Sequence, residues 1–379
     1  MKKPITLIII TLCFCKASFG QDAFFYESRQ LKSYLNPALT GINGSLSFNL
    51  VGKEQLLNSI GDFVSGGISL EQSWPCTKID LGFYHVFDKE GDGSFLTNHS
   101  ALNFVYTLPV EAKKFLHNIR LGTKLQYTNK RIDWNRLTFS DQIDPKYNLT
   151  DAFGIPNQTD FIPPSWNSVS RLTMGIGFIH KVDAGLVYKW SMNWGIALEN
   201  YTNAFESEGY DSILRLQNDK NRLINKWSFY LAPEFPLSKS YKDYFGFRPS
   251  LVILQVSTLS NIQIGFDTNY RRAYGVGIYL GTGHFRDFKK DTKSIIFNTY
   301  VRAYSSKTSQ LNIGVQYVHN IGGLSEVFGQ TMQINLSYNF KKDGCESTPT
   351  TTSDCPPTSK RHQILYENIW FTPIEGINK

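Results

Sequence analysis

The sequence predicts an all-β protein: a closed transmembrane antiparallel β-barrel of about fourteen strands, followed by a periplasmic C-terminal tail. Three observations predict it. Segments in which apolar and polar residues alternate recur through residues 45–340 with turn residues between them, the period of a strand with two unlike faces. Many of these segments run to about ten residues, the length a tilted membrane strand needs, whereas sandwich strands are nearer five or six. Aromatic residues make up 14% of the chain, yet the mean hydropathy is only -0.27, so apolar groups are spread over half-apolar strands rather than gathered into long runs.

The chain opens with MKKPITLIIITLCFCKASFGQ. Lys2 and Lys3 form a basic n-region, Ile5 to Phe14 an apolar h-region, and Ser18 to Gly20 a small-residue cleavage site, so residues 1–20 read as a secretory signal peptide. The apolar run is well short of the ~20 residues of a spanning helix. Removing it takes away Lys2, Lys3 and Lys16 and no acid, which lowers the formal charge from +7 to +4. So mild a balance argues against a nucleic-acid partner. Residues 21–44 read as a lead-in or plug: Pro37 fixes the backbone, NPALTG is neutral, and Gly41 and Gly44 release the chain into the first strand. A plug requires Asn36 and Thr40 to hydrogen-bond to lumen side chains.

The strands are read, in order, at 45–53, 63–73, 78–87, 99–108, 117–129, 182–189, 193–200, 226–235, 248–256, 261–270, 274–281, 293–303, 309–318 and 329–340. In the first, Leu46, Phe48 and Leu50 oppose Ser45, Ser47 and Asn49. In the fifth, Ile119, Leu121, Leu125 and Tyr127 oppose Arg120, Gly122, Lys124 and Gln126. RLTMGIGFIH (171–180) also alternates and is placed in the long outer excursion or in an extended strand. Phe87, Tyr106, Trp190, Trp194, Trp227, Phe235, Tyr270 and Tyr274 crowd the segment ends, as an aromatic girdle requires. With both termini in the periplasm, the inner connections are WPCT, PVEAKKFL, WSM, PLSKSYKDYFGF, RRA and YSSKT, mostly short. The outer ones include DKEGDGSFLTN, residues 130–181 and residues 201–225. Short inside and long outside is the outer-membrane rule, and closure leaves no sheet edge for lipid to meet.

Residues 341–379 change character. A Thr/Ser/Pro-rich linker is followed by an apolar cluster, of which Leu365, Tyr366, Trp370 and Phe371 are candidates for docking a periplasmic partner. The alternative is a segment that folds back on the barrel mouth. Cys345 and Cys355 either close a small loop or stay free, and Cys76 is left over.

Chemistry is sparse. The seven histidines have no zinc-site spacing, and there is no G-x-S-x-G or phosphate loop, so the chain reads as no enzyme and no cofactor is expected. DKEGDG sets Asp88, Glu90 and Asp92 on alternate residues like the start of a calcium loop. His99 stands where its bidentate Glu should be, so an acidic hairpin is the plainer reading. In the outer excursion, Trp134, Phe139, Tyr147, Phe153, Phe161 and Trp166 are candidates for partner binding, because aromatics are the usual interface anchors. Alternatively they pack the loop into a lid.

YLNPALTG (Tyr34 to Gly41, with Leu35, Asn36, Pro37, Ala38, Leu39 and Thr40 at its heart) resembles the signature near the mature N-terminus of the PorP/SprF family of the type IX secretion and gliding systems. LTFSDQID (Leu137 to Asp144) is similar to the family's L-x-F-x-D-Q element. VDAGLVYKWSMNWGIALEN (Val182 to Asn200) is similar to its D-x-G-x-G-x-x-Y segment and the strand after it. The closing hairpin departs from the pattern: Val315 to His319 replace much of G-Y-x-Y-D, and Thr331, Met332 and Gln333 stand where H-E-I would be. The similarity spans about 21–340, and the tail lies outside it.

The resemblance implies an outer-membrane barrel that supports secretion of a cognate adhesin-like surface protein and holds its C-terminal domain at the cell surface. It also implies contact with periplasmic secretion or motor components and with outer-membrane lipid. Two rivals stand beside this: a transport barrel for hydrophobic solutes, with a lateral gap or an apolar lumen pocket, and a porin, with lumen charges such as Arg120, Lys124 and Glu199.

Overall fold

The computed structural model describes Phe25 and residues 31–57, 63–74, 77–91, 95–111, 116–163, 167–183, 190–203, 226–238, 245–256, 259–271, 273–285, 292–306, 309–321 and 330–340. One helical turn, α1 (Lys32–Leu35), and a 3₁₀ turn (Pro37–Leu39) precede fourteen strands. These are β1 (Ser47–Leu57), β2 (Phe63–Trp74), β3 (Ile79–Glu90), β4 (Phe95–Glu111), β5 (Leu116–Arg131), β6 (Ser168–Asp183) and β7 (Ser191–Asn203). Then come β8 (Lys226–Pro236), β9 (Phe245–Val256), β10 (Leu259–Tyr270), β11 (Tyr274–Phe285), β12 (Thr292–Ser305), β13 (Ser309–Ile321) and β14 (Gln330–Phe340). Each pairs antiparallel with its sequence neighbours, and β1 pairs with β14 to close the barrel. Among the described residues no helix is long and apolar enough to cross a membrane.

One strand differs from the sequence reading. The sixth spans Ser168–Asp183, not 182–189, and so takes in RLTMGIGFIH. It pairs with β5 from Arg131↔Ser168 to Leu116↔Asp183 without a break. Both stretches alternate, so period alone could not choose between them; the length of β5 available for pairing does. Residues 184–189 lie outside the described ones. Longer strands also shorten some connections. DKEGDGSFLTN is mostly the ends of β3 and β4, and only 91–94 join them. The asymmetry between the two ends therefore rests chiefly on 132–167 and 204–225.

The alternation follows the barrel wall. Phe48, Leu50, Leu70, Leu102, Phe104, Ile264, Val276 and Leu280 are exposed on the outside. Asn49, Lys53, Asn103, Lys124, Gln316 and Gln333 are buried on the inside. Apolar out and polar in reverses the order of a soluble protein and suits a wall set in lipid. Trp74, Tyr106, Trp190, Phe235, Tyr270, Tyr274, Tyr304 and Phe340 stand exposed around the short-turn end, where an interfacial aromatic girdle belongs.

Candidate functional site

Two features set this barrel apart from an open cylinder. The first is inside it. Residues 31–44 run through the lumen and bind the wall along their length. Arg120 on β5 donates from Nε to Ala38 O at 2.9 Å and from Nη2 to Thr40 O, and it pairs with Asp80 on β3 at 2.9 Å. Glu71 on β2 accepts the Gly41 N–H at 2.8 Å, and Asn103 on β4 donates to Thr40 Oγ1 at 2.9 Å. Thr40 thus bonds to a lumen side chain. Asn36 instead donates to the backbone carbonyls of Phe178 and Ile196, at 3.3 and 3.2 Å. Its own carbonyl caps the 3₁₀ turn by accepting from Ala38 N. Ser228 on β8 donates to Leu35 O at 2.9 Å, and Asn43 donates to Asn339 on β14 at 3.0 Å.

The wall is hollowed to take this segment. A Cβ at Gly122 would lie 2.4 Å from Ala38 N, and one at Gly177 would lie 2.1 Å from Asn36 Oδ1. Backbone can approach a strand so closely only where the strand has no side chain. Above the slot, Tyr34 stacks edge-on against Tyr84 at 5.6 Å, and the Lys226 ammonium lies 4.5 Å from the Tyr34 ring. Lys124 and Lys226 both pair with Glu199, the latter at 3.4 Å. Of the candidates for a porin's charge ring, Arg120 is tied to the lumen segment and to Asp80, Lys124 and Glu199 pair with each other, and all three are buried.

The second feature is the excursion between β5 and β6. The strand pair carries on for one bond, Ile132 N–H to Asn167 O at 2.9 Å. At about 3.3 Å per residue, strands of this length rise further than the ~25 Å apolar band requires even when tilted, so the hairpin lifts the loop clear of it. Trp134 is buried with Ile132 against Phe95, Leu137 and Val169. Phe161 lies 4.6 Å from Phe139 and 5.7 Å from Trp134. These three rings pack on one another, Trp134 buried and Phe161 still 39% exposed at the edge of the cluster.

Polar pins hold the remainder. The Asn157 side chain donates to the carbonyls of Gln142 at 2.9 Å and Thr150 at 3.2 Å. Asp144 accepts from the amides of Lys146 and Tyr147, and Asp151 from those of Phe153 and Ile155. Asp141 accepts from Asp160 N at 2.7 Å and Thr159 Oγ1 at 2.8 Å. The Asp160 amide first, then the Thr159 hydroxyl, hold its carboxyl below the usual carboxylate range. On this braced frame apolar side chains face outward: Phe153 is 89% exposed and Ile162 87%, with Ile143, Tyr147, Leu149 and Ile155 exposed beside them in sequence.

The aromatic candidates therefore divide. Trp134, Phe139 and Phe161 build the loop, while Tyr147 and Phe153 project from it. Ile143, Ile155 and Ile162, which an aromatic criterion passes over, project as well. Trp166 and the tail residues Leu365, Tyr366, Trp370 and Phe371, with Cys345 and Cys355, lie outside the described residues. So does Asp92. Asp88 and Glu90 belong to β3 rather than to a loop, and Asp88 accepts from Ser65 Oγ at 2.5 Å. Among the described residues no three His, Cys, Asp or Glu side chains gather as metal ligands do.

Among solved structures, the chain is similar to the CymD monoaromatic hydrocarbon channel, at 11% identity and a TM-score of 0.41 over 86% of this chain and 95% of that one. It is also similar to the Pseudomonas putida toluene transporter TodX, at 10% and 0.37 over 84% and 94%. A Pseudomonas aeruginosa FadL homologue matches at 8% and 0.35 over 82% and 94%. No curated protein matches the chain. The profile of the family described as Type IX secretion system membrane protein PorP/SprF matches residues 17–338. With its closed barrel and its lipid-facing apolar wall, the chain belongs to the PorP/SprF family of type IX secretion system membrane proteins and sits in the outer membrane.

Proposed function

We propose that this barrel is a docking platform, which binds and anchors, or supports the secretion of, a cognate type IX-secreted surface protein through that protein's C-terminal domain. The single observation that carries this reading is the loop over 132–163: a segment folded on its own aromatic cluster that turns Phe153 and Ile162 outward. A preformed loop loses little conformational freedom on binding, and exposed apolar groups on a braced frame are where interfaces concentrate their energy. Family membership supports the same reading, since secretion systems need such partners, and the family is not a class of enzymes. Contacts with periplasmic secretion or motor components, through Leu365, Tyr366, Trp370 and Phe371 of the tail, belong to the proposal too.

Of the rival readings, a transport barrel for hydrophobic solutes needs a lateral gap or an apolar lumen pocket, whereas a porin needs a clear path along the axis. Residues 31–44 cross the lumen and bind seven of its strands, which weighs against a porin. The test is co-purification of the tagged barrel from native outer membranes. One large surface protein should be recovered with the natural loop and lost when 137–163 is replaced by a short Gly/Ser linker.

A further inference from the structure

The β8–β9 ladder is broken in its interior. It pairs from Lys226↔Val256 to Leu231↔Leu251 and resumes at Phe235↔Phe247 and Pro236↔Gly246, with no pair between. The register is the same on both sides of the break, which sets Pro233 directly opposite Pro249. Neither residue has an N–H, so the two bonds they would exchange are not available, and both carbonyls lose their ladder donors. Other ladders that skip a residue do so at a bulge, where the register shifts. Among the described residues this is the one break with register kept.

One row of the break carries small side chains. Ala232 faces Ser250 on the lumen side of the break, both buried, and the prolines stand on the outer side. Behind them the lining is mixed: Arg248, on the lumen side of the same break, pairs with Asp267 at 3.2 Å, the Tyr279 hydroxyl donates to that carboxylate at 2.8 Å, and an apolar patch lies beside the pair. Along the row of paired residues that starts at Ser250, Gly265 brings no side chain, and Tyr279, Ile296 and Val318 pack as one cluster. Val252 and Leu254 line the same side of β9. The other end of β8 is held fast, by Ser228 on the lumen segment and by Lys226 on Glu199. The break lies toward the short-turn end, next to the exposed rings of Phe235 and Phe245.

We propose that the β8–β9 seam is a lateral gate, through which an apolar, acyl-chain-like molecule passes between the surrounding membrane leaflet and the lumen. Unpaired backbone inside a bilayer is tolerated only where it lines protein or a cavity. A seam without two of its bonds is the place where this wall parts most readily. In the structure it is shut.

The gate predicts that a lumen cysteine behind the seam is reachable from the membrane. In lipid nanodiscs, Ser250→Cys should react with a membrane-dissolved N-alkyl maleimide at least tenfold faster than Asn298→Cys, which faces the lumen where the β12–β13 ladder is continuous from Lys293 to Arg302. Adding Pro233→Val and Pro249→Val, which restores both donors, should slow Ser250→Cys to the control rate. Equal rates for the two cysteines, or a Ser250→Cys rate unchanged by the valines, would overturn the gate. Deuterium exchange on the natural protein supplies a readout free of substitutions. The amides of Leu231, Phe235, Phe247 and Leu251 should exchange faster than those of β12 and β13, and equal protection would also refute it.

Discussion

Arg120 shows how much one side chain does in this lumen. Its fork reaches two backbone carbonyls of the 31–44 segment and the Asp80 carboxylate at once, a geometry that a lysine's single ammonium cannot copy. Arg120→Ala leaves Asp80 buried without its partner, and removing one member of a buried pair costs roughly 3–5 kcal/mol. The temperature at which the folded form is lost on a semi-native gel should fall accordingly. Arg120→Lys should recover only part of it. Gly122→Val tests the slot instead. Its side chain would enter the space of Ala38 backbone, which cannot rotate away. The fourteen ladders should survive while 31–44 is displaced, read as new cleavage in that segment by added protease. Alternation put Arg120 and Gly122 on the polar face, so their side of the wall was legible. Their partner was not, because nothing in a strand's period tells which distant segment a lumen arginine will meet.

At the scale of elements, the outer loop and the sixth strand teach opposite lessons. Clustered aromatics marked residues 130–170 as special, but ring-to-ring contact divides them into builders and presenters, and such contact is tertiary. Phe139→Ala should loosen the loop by roughly 1–3 kcal/mol and raise its protease sensitivity. Phe153→Asp should leave barrel and loop stability within ~0.5 kcal/mol, since the ring packs on nothing it needs. It should still weaken partner retention tenfold or more if that ring is an anchor. Asp141 makes the loop's integrity pH-dependent. Its folded carboxyl titrates below its unfolded value, so its contribution is present above about pH 4 and is lost as pH falls through the folded value. Loop proteolysis should rise only in that acid range, and Asp141→Asn should remove the dependence. The sixth strand was misplaced because two neighbouring stretches share the same alternation. Only β5, which offers sixteen residues to pair, settles the choice.

For the whole molecule, the barrel was legible because lipid imposes a strict rule: every strand must turn one apolar face outward, and the sheet must close. Function was less so, since a barrel serves pores, transporters and platforms alike. The lumen segment bears on that choice. Purified protein in planar bilayers should show little steady conductance, and Gly122→Val should raise it. High conductance in the natural protein would favour a pore. The platform reading itself is tested most directly by co-purification from native outer membranes, comparing the natural barrel with a Phe153→Asp, Ile162→Asp variant and identifying what each retains. One large secreted surface protein held by the natural barrel and lost from the variant is the predicted result. Retention of the same partner by both, or of none by the natural barrel, would contradict the loop as the docking site.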